Sequence, residues 1–115
     1  GLLGVMEKSQ TAIHTIVTGA AMSCGFMILI TGHERFGYKH STPLYHQVST
    51  GFYGKIQDME ESLAETKRLQ KKIEDITFER TSISKKKLSE ILKNKKDWYM
   101  TADEALALGV IDEIL

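Results

Sequence analysis

Gly19-Ala20-Ala21-Met22-Ser23-Cys24-Gly25 joins a β-branched run, Ile13 to Thr18, to an apolar run, Phe26 to Ile30. That order reads as strand, tight turn, helix. Ser23 then stands at the mouth of a helix, where unpaired backbone N–H groups and the helix dipole favour negative charge. Small residues on both sides leave a substrate carbonyl room to approach the hydroxyl. Backbone donors close by stabilise the anion that attack creates. The turn therefore reads as a nucleophile site if a base reaches it. Without a base, Ser23 is an ordinary helix N-cap.

Outward from this turn, strands and helices alternate. Leu2, Leu3 and Met6 share one face of a short opening helix, which Gly1 and Gly4 weaken. The helix after the turn spans about Ser23 to Ile30 and stops at Gly32. His33 to Thr42 is polar and reads as irregular. Pro43 leads into a short strand, Leu44 to Val48, and Gly51 and Gly54 bracket Phe52-Tyr53 as a turn or extended excursion. A long helix covers residues 55–79, because Ile56, Met59, Leu63, Leu69, Ile73 and Ile76 recur at helical spacing. It is longer than a small core can cover, so part of its apolar stripe reads as an assembly surface. Ser84 caps a second helix carrying Leu88, Ile91 and Leu92, and Thr101 to Glu104 forms a capping box for a third. Gly109 ends that helix, and Val110-Ile111 reads as a closing strand. The alternation argues for an α/β layer structure.

Composition narrows the function classes. The 115 residues suit one domain, and 15 basic against 15 acidic side chains give no argument for nucleic acid or an anionic membrane. One cysteine rules out an internal disulfide framework and a four-thiolate zinc site, and fits a reducing, cytoplasmic setting. The longest apolar stretch, Gly19 to Ile30, is shorter than the roughly 20 residues a bilayer span needs. No basic n-region opens the chain, and Gly1 in place of Met reads as a processed or truncated start. The Lys85-Lys86-Lys87 and Lys93 to Lys96 runs read as solvated helix faces. His33, His40 and His46 fit no common zinc spacing, so no metal and no cofactor are expected. A phosphate-binding loop ending in Gly-Lys-Ser/Thr is absent from these residues.

Four histidines are candidate bases: His14, His33, His40 and His46. His46 is the best placed, since it follows strand residues near a strand end. A histidine base needs a third group to fix its tautomer. Asp97, between two helices and beside Trp98 and Tyr99, is a candidate whose carboxylate those aromatics partly shield. Cys24 reads as packing rather than as the nucleophile.

Three separated segments share a resemblance. The Ser23 turn, Tyr45-His46-Gln47, and Asp97 through Ala105 with Gly109-Val110-Ile111-Asp112 occur in the order and near the spacing of the proteolytic subunit of the Clp protease. The sequence resembles that family over almost its whole length. The resemblance implies a Clp/crotonase-like α/β fold of layered strands and helices, with a protruding handle helix at 55–79. It implies a single domain over residues 1–115 that lacks the N-terminal part of the fold. It implies Ser23 as nucleophile, His46 as general base, Asp97 as the acid orienting the base, and the Cys24 N–H as an oxyanion donor. Thr50, Gly51 and Phe52 match the edge against which the family lays an extended peptide. The family's second oxyanion segment falls before Gly1.

The implied function is an ATP-dependent-type serine endopeptidase subunit that cleaves unfolded polypeptides. Its implied partners are further copies in two stacked heptameric rings and an AAA+ unfoldase. The alternative is a catalytically impaired, ring-forming scaffold subunit of the same family. It is motivated by the altered linker before His46 and by the absence of the family's second oxyanion segment from these residues.

Overall fold

A computed structural model describes residues 1–49, 51–94 and 97–115. Strand β1 (His14–Val17) draws on β-branched Thr15, Ile16 and Val17. It pairs in parallel with β3 (Glu34–Gly37), which pairs in parallel with β6 (Glu113–Ile114). A second sheet has the order β2 (Ala20–Met22), β4 (Thr42–Tyr45), β5 (Trp98–Tyr99). In it, β2 and β4 are parallel and β4 and β5 antiparallel. The chain thus lays one strand in each sheet, crosses through helix α2 (Cys24–Thr31), and lays one more in each.

Helix α2 is apolar nearly all round because it is packed nearly all round. Phe26, Met27, Leu29, Ile30 and Thr31 are buried, against β1, β2, β4, α1 (Leu2–Lys8) and α3 (Ile56–Arg80). Phe26 meets the buried Tyr45 ring edge-on, with centroids 5.7 Å apart. The Arg80 guanidinium, at the end of α3, donates to the carbonyls of Ile30, Thr31 and Gly32 and so closes the α2 C-terminus. Gly32 leaves room there: a Cβ at this position would run into Thr15 Oγ1.

Helix α3 has 25 residues and is about 37 Å long at 1.5 Å per residue. Ile73, Ile76 and Phe78 pack against the core, whereas Ile56, Met59, Leu63 and Leu69 are exposed. Its N-terminal half therefore projects beyond the sheets, as the handle of the expected α/β fold does. Helix α4 (Lys85–Lys93) begins at Ser84, whose Oγ accepts from the Lys87 N–H at 3.0 Å, and it buries Leu88. Helix α5 (Ala102–Ala107) begins at Thr101, whose Oγ1 accepts from the Glu104 N–H at 3.1 Å. Gly109, at φ +70°, takes the chain out of it.

Several local expectations are corrected. The turn before Ser23 contains β2, and the polar stretch 33–42 contains β3. The strand expected at Leu44–Val48 lies at Thr42–Tyr45. Val110 and Ile111 are buried but outside any strand, and the closing strand is Glu113–Ile114. Trp98-Tyr99, next to Asp97 between the two helices, is a short strand against β4. Among the described residues, no helix is long and apolar enough to cross a membrane.

Candidate active site

Ser23 sits on a strained elbow between β2 and α2. It has φ 53° and ψ −116°, and among the described residues it alone of the non-glycines has positive φ. Such a conformation costs on the order of 1–3 kcal/mol and persists only where its surroundings impose it. Here β2 is fixed by pairing with β4, and α2 by its buried apolar residues. The strain projects the hydroxyl outward from the sheet edge, the geometry of a strand–elbow–helix nucleophile. Ser23 Oγ makes no capping bond to α2. It is hydrogen-bonded to His46 Nε2 instead.

Sheet topology explains how residues 23 positions apart meet. Strands β2 and β4 are parallel neighbours, with Met22 opposite Leu44. Parallel strands deliver the residues after them to the same edge, where sites gather in α/β sheets. Ser23 follows β2 directly and His46 follows β4 directly.

The His46 tautomer follows from its second contact. Nδ1 lies 2.6 Å from the Gln47 carbonyl oxygen, which only accepts, so Nδ1 carries the proton. Nε2 is then the free acceptor, and the Ser23 hydroxyl donates to it. That is the polarity a general base requires.

Asp97 arrives at the same edge from the other side. In the antiparallel β4–β5 pair, Leu44 faces Tyr99 and Tyr45 faces Trp98. Continued by one residue, this register sets His46 opposite Asp97. The Asp97 side chain is exposed and not shielded by its neighbours; Trp98 is buried and Tyr99 exposed. Among the described residues, no hydrogen bond joins Asp97 to His46. The Gln47 carbonyl holds Nδ1 in its place.

Cys24 is exposed and begins α2. The first bond of this helix runs from the Met27 N–H to the Ser23 carbonyl. The Cys24, Gly25 and Phe26 N–H groups therefore lack intrahelical acceptors, at the positive end of the dipole and beside Ser23 Oγ. A cavity of about 400 Å³ opens next to Ser23 and His46, with Phe26, Met27, Leu69 and Ile73 giving it an apolar wall.

Of the expected peptide edge, Thr50 lies outside the described residues. Gly51 and Phe52 lie in an irregular segment, and Phe52 lines a groove along α3. Sequence reasoning missed the Gln47 carbonyl and Gln70. Gln70 bonds to Val48 N–H and to Tyr45 Oη, on either side of His46. A glutamine on a charged helix gives no sequence signal of such a role. Burial raises the Tyr45 phenol above its ordinary value, with the Gln70 hydrogen bond acting the other way.

The fold and site define a class: a serine on a strand–elbow–helix turn, paired with a histidine delivered by the adjacent parallel strand. Comparison with known proteins sharpens this. A family model described as Clp protease matches residues 2–115. The chain belongs to the Clp protease family. It is 36% identical over 116 residues to the ATP-dependent Clp protease proteolytic subunit 2 of Bacillus licheniformis, covering 99% of this chain and 60% of that protein. It is 31% identical to the ATP-dependent Clp protease proteolytic subunit of Deinococcus radiodurans, covering 96% of this chain and 54% of that protein. It is 34% identical to the subunit of the same name in Porphyromonas gingivalis, covering 100% of this chain and 52% of that protein. The chain thus spans between about half and three-fifths of the length of these relatives.

Proposed function

We propose that this chain carries the active site of a serine endopeptidase acting on unfolded polypeptide. The observation that carries the reading is the hydrogen bond from the Ser23 hydroxyl to His46 Nε2, on an elbow held at positive φ. Ser23 Oγ attacks a peptide carbonyl as Nε2 takes its proton, and the imidazolium then returns that proton to the leaving amine. The Cys24 N–H donates to the oxyanion, where one such donor is worth about 3 kcal/mol of barrier. The apolar cavity beside Ser23 receives an apolar side chain next to the scissile bond.

Asp97 is the group that orients His46 in the working state. The β4–β5 register supports this, since carried one residue past the observed pairs it brings His46 and Asp97 opposite one another. The change this requires is a turn of the His46 ring in which Nδ1–H leaves the Gln47 carbonyl for the carboxylate. Gly51 and Phe52 lie alongside the extended substrate in this reading, with Phe52 on the groove along α3. The relatives' names attach ATP dependence and a proteolytic-subunit role to those proteins. By extension, the full protein works in the cytoplasm as stacked heptameric rings fed by an AAA+ unfoldase. The exposed Ile56, Met59 and Leu63 on α3 offer an apolar surface for such assembly.

The test uses the full-length protein, a fluorogenic peptide and a fluorophosphonate probe. The probe is expected to label Ser23, and Ser23→Ala is expected to abolish hydrolysis with assembly intact. Asp97→Asn is expected to lower kcat by about 10³-fold or more. Labelling at Cys24, or hydrolysis surviving Ser23→Ala, would refute the assignment.

A further inference from the structure

We propose that Gln70 is a positioning residue for His46, holding the histidine-bearing segment against α3 so that the ring stays in line with Ser23. This rests on the reading of His46 as general base. Residues 46–49 leave β4 and belong to no strand or helix. Outside the β4–β5 ladder, and among the described residues, the bond from Val48 N–H to Gln70 Oε1, at 2.9 Å, ties their backbone to another element. Gln70 Nε2 donates to Tyr45 Oη at 3.1 Å and to Glu74 Oε1 at 3.2 Å. The residue before His46 and the one two after it are thus pinned by a single side chain.

The amide fits this place in one orientation. Its oxygen faces an N–H donor, and its nitrogen faces a hydroxyl and a carboxylate. A flipped amide would set donor against donor at Val48 and acceptor against acceptor at Glu74. Both N–H groups and the carbonyl are in use, so the side chain is locked. Tyr45 is itself fixed, buried edge-on against Phe26 of α2, the helix that begins beside Ser23. Gln70 therefore connects α3, the core under the nucleophile, and the segment bearing the base. It does not line the apolar cavity at Ser23. It does line the groove along α3 beside Phe52, but its polar atoms are committed to Val48, Tyr45 and Glu74, so its effect falls on base alignment.

The experiment uses the full-length protein and a short fluorogenic peptide. Gln70→Met keeps the shape and removes every hydrogen bond. It is expected to lower kcat about tenfold or more, because small misplacements of a catalytic group are costly. KM is expected to stay within about twofold, since methionine keeps the side chain's shape in the groove beside Phe52 and leaves the apolar cavity at Ser23 unchanged. Fluorophosphonate labelling of Ser23 slows in parallel. The exchange Gln70→Glu with Glu74→Gln preserves the charge: the new carboxylate accepts from Val48 N–H, from the Tyr45 hydroxyl and from the new amide. It is expected to restore most of kcat, which a general loss of packing would not allow. Tyr45→Phe removes one of the two anchors and is expected to lower kcat by a smaller factor at unchanged KM. If Gln70→Met does not assemble, Tyr45→Phe decides alone. Hydrolysis that survives Ser23→Ala or His46→Ala overturns the peptidase reading itself. Hydrolysis lost in those variants but unchanged in Gln70→Met, or in Tyr45→Phe where that variant decides, overturns only the role of Gln70.

Discussion

Replacing Arg80 by Met should destabilise the protein more than its half-buried place at the end of α3 suggests. Its Nε donates to the Ile30 carbonyl at 2.9 Å, and its Nη2 to those of Thr31 and Gly32 at 3.0 and 2.7 Å. These are the last carbonyls of α2, which have no intrahelical partner and carry the negative end of its dipole. Bonds to a charged donor contribute about 1.5–3 kcal/mol each, so three at the low end give about 4–5 kcal/mol. Ordering the arginine side chain offsets about 2 kcal/mol of that. Methionine keeps the stem's packing, leaving an expected loss of about 2–3 kcal/mol from the guanidinium alone. For a domain of this size that is a fall in Tm of roughly 10 °C. Arg80→Lys keeps the charge but not the planar fork, and should recover about half of the loss. Urea titrations at fixed protein concentration, followed by circular dichroism, measure both variants. Arg80→Met within about 0.5 kcal/mol of wild type, or Arg80→Lys equal to wild type, would refute the account of α2 closure.

Ser23→Gly and Ser23→Ala should both lose hydrolysis. The glycine variant should be more stable by about 1 kcal/mol, since only glycine relieves φ 53° at the elbow; thermal melts compare them. Gly32→Ala should cost about 1–3 kcal/mol, because its Cβ would press on Thr15 Oγ1, which donates to the Leu29 carbonyl. Gly25→Ala is the control: its Cβ meets Ala21 Cβ at 3.9 Å, ordinary contact, and urea midpoints should show no loss. Tyr45 gives a pH dependence. Burial lifts its pKa in the folded state above the ordinary 10.0, so the unfolded chain gives up its proton first. Its contribution is full below that pH and is lost as pH rises through the folded pKa. Urea midpoints from roughly pH 9 to 11 should fall less steeply in Tyr45→Phe than in wild type.

The long elements and the strand-to-helix turn at Ser23 were legible in the sequence, and the short strands were not. Helix α3 announces itself because Ile56 to Ile76 repeat at helical spacing over many turns. The capping oxygens of Ser84 and Thr101 act on the donors three residues on, as local chemistry dictates. Strand β2 is Ala-Ala-Met and β3 is Glu-Arg-Phe-Gly, neither of which favours a strand by itself. They become strands because β4 and β1 offer partners. Val110 and Ile111 show the converse, where apolar character marks core and not strand. At the site, the elbow could be read from small residues flanking Ser23. The Gln47 carbonyl on Nδ1 and the Gln70 bridge could not, since both depend on where the chain goes after β4.

Every partnership in the two sheets joins distant stretches of chain, and among the described residues no hairpin brings neighbouring strands together. The amide of Arg35 in β3 is bonded to Asp112, 77 positions away, just before β6. Closing such loops costs entropy before any pairing is gained, which makes this a slow-folding topology. During synthesis, β3 waits with an open edge until the ribosome has released the stretch beyond α5. The nascent chain is most exposed to misassembly in that interval, and a chaperone that shields β3 should act then.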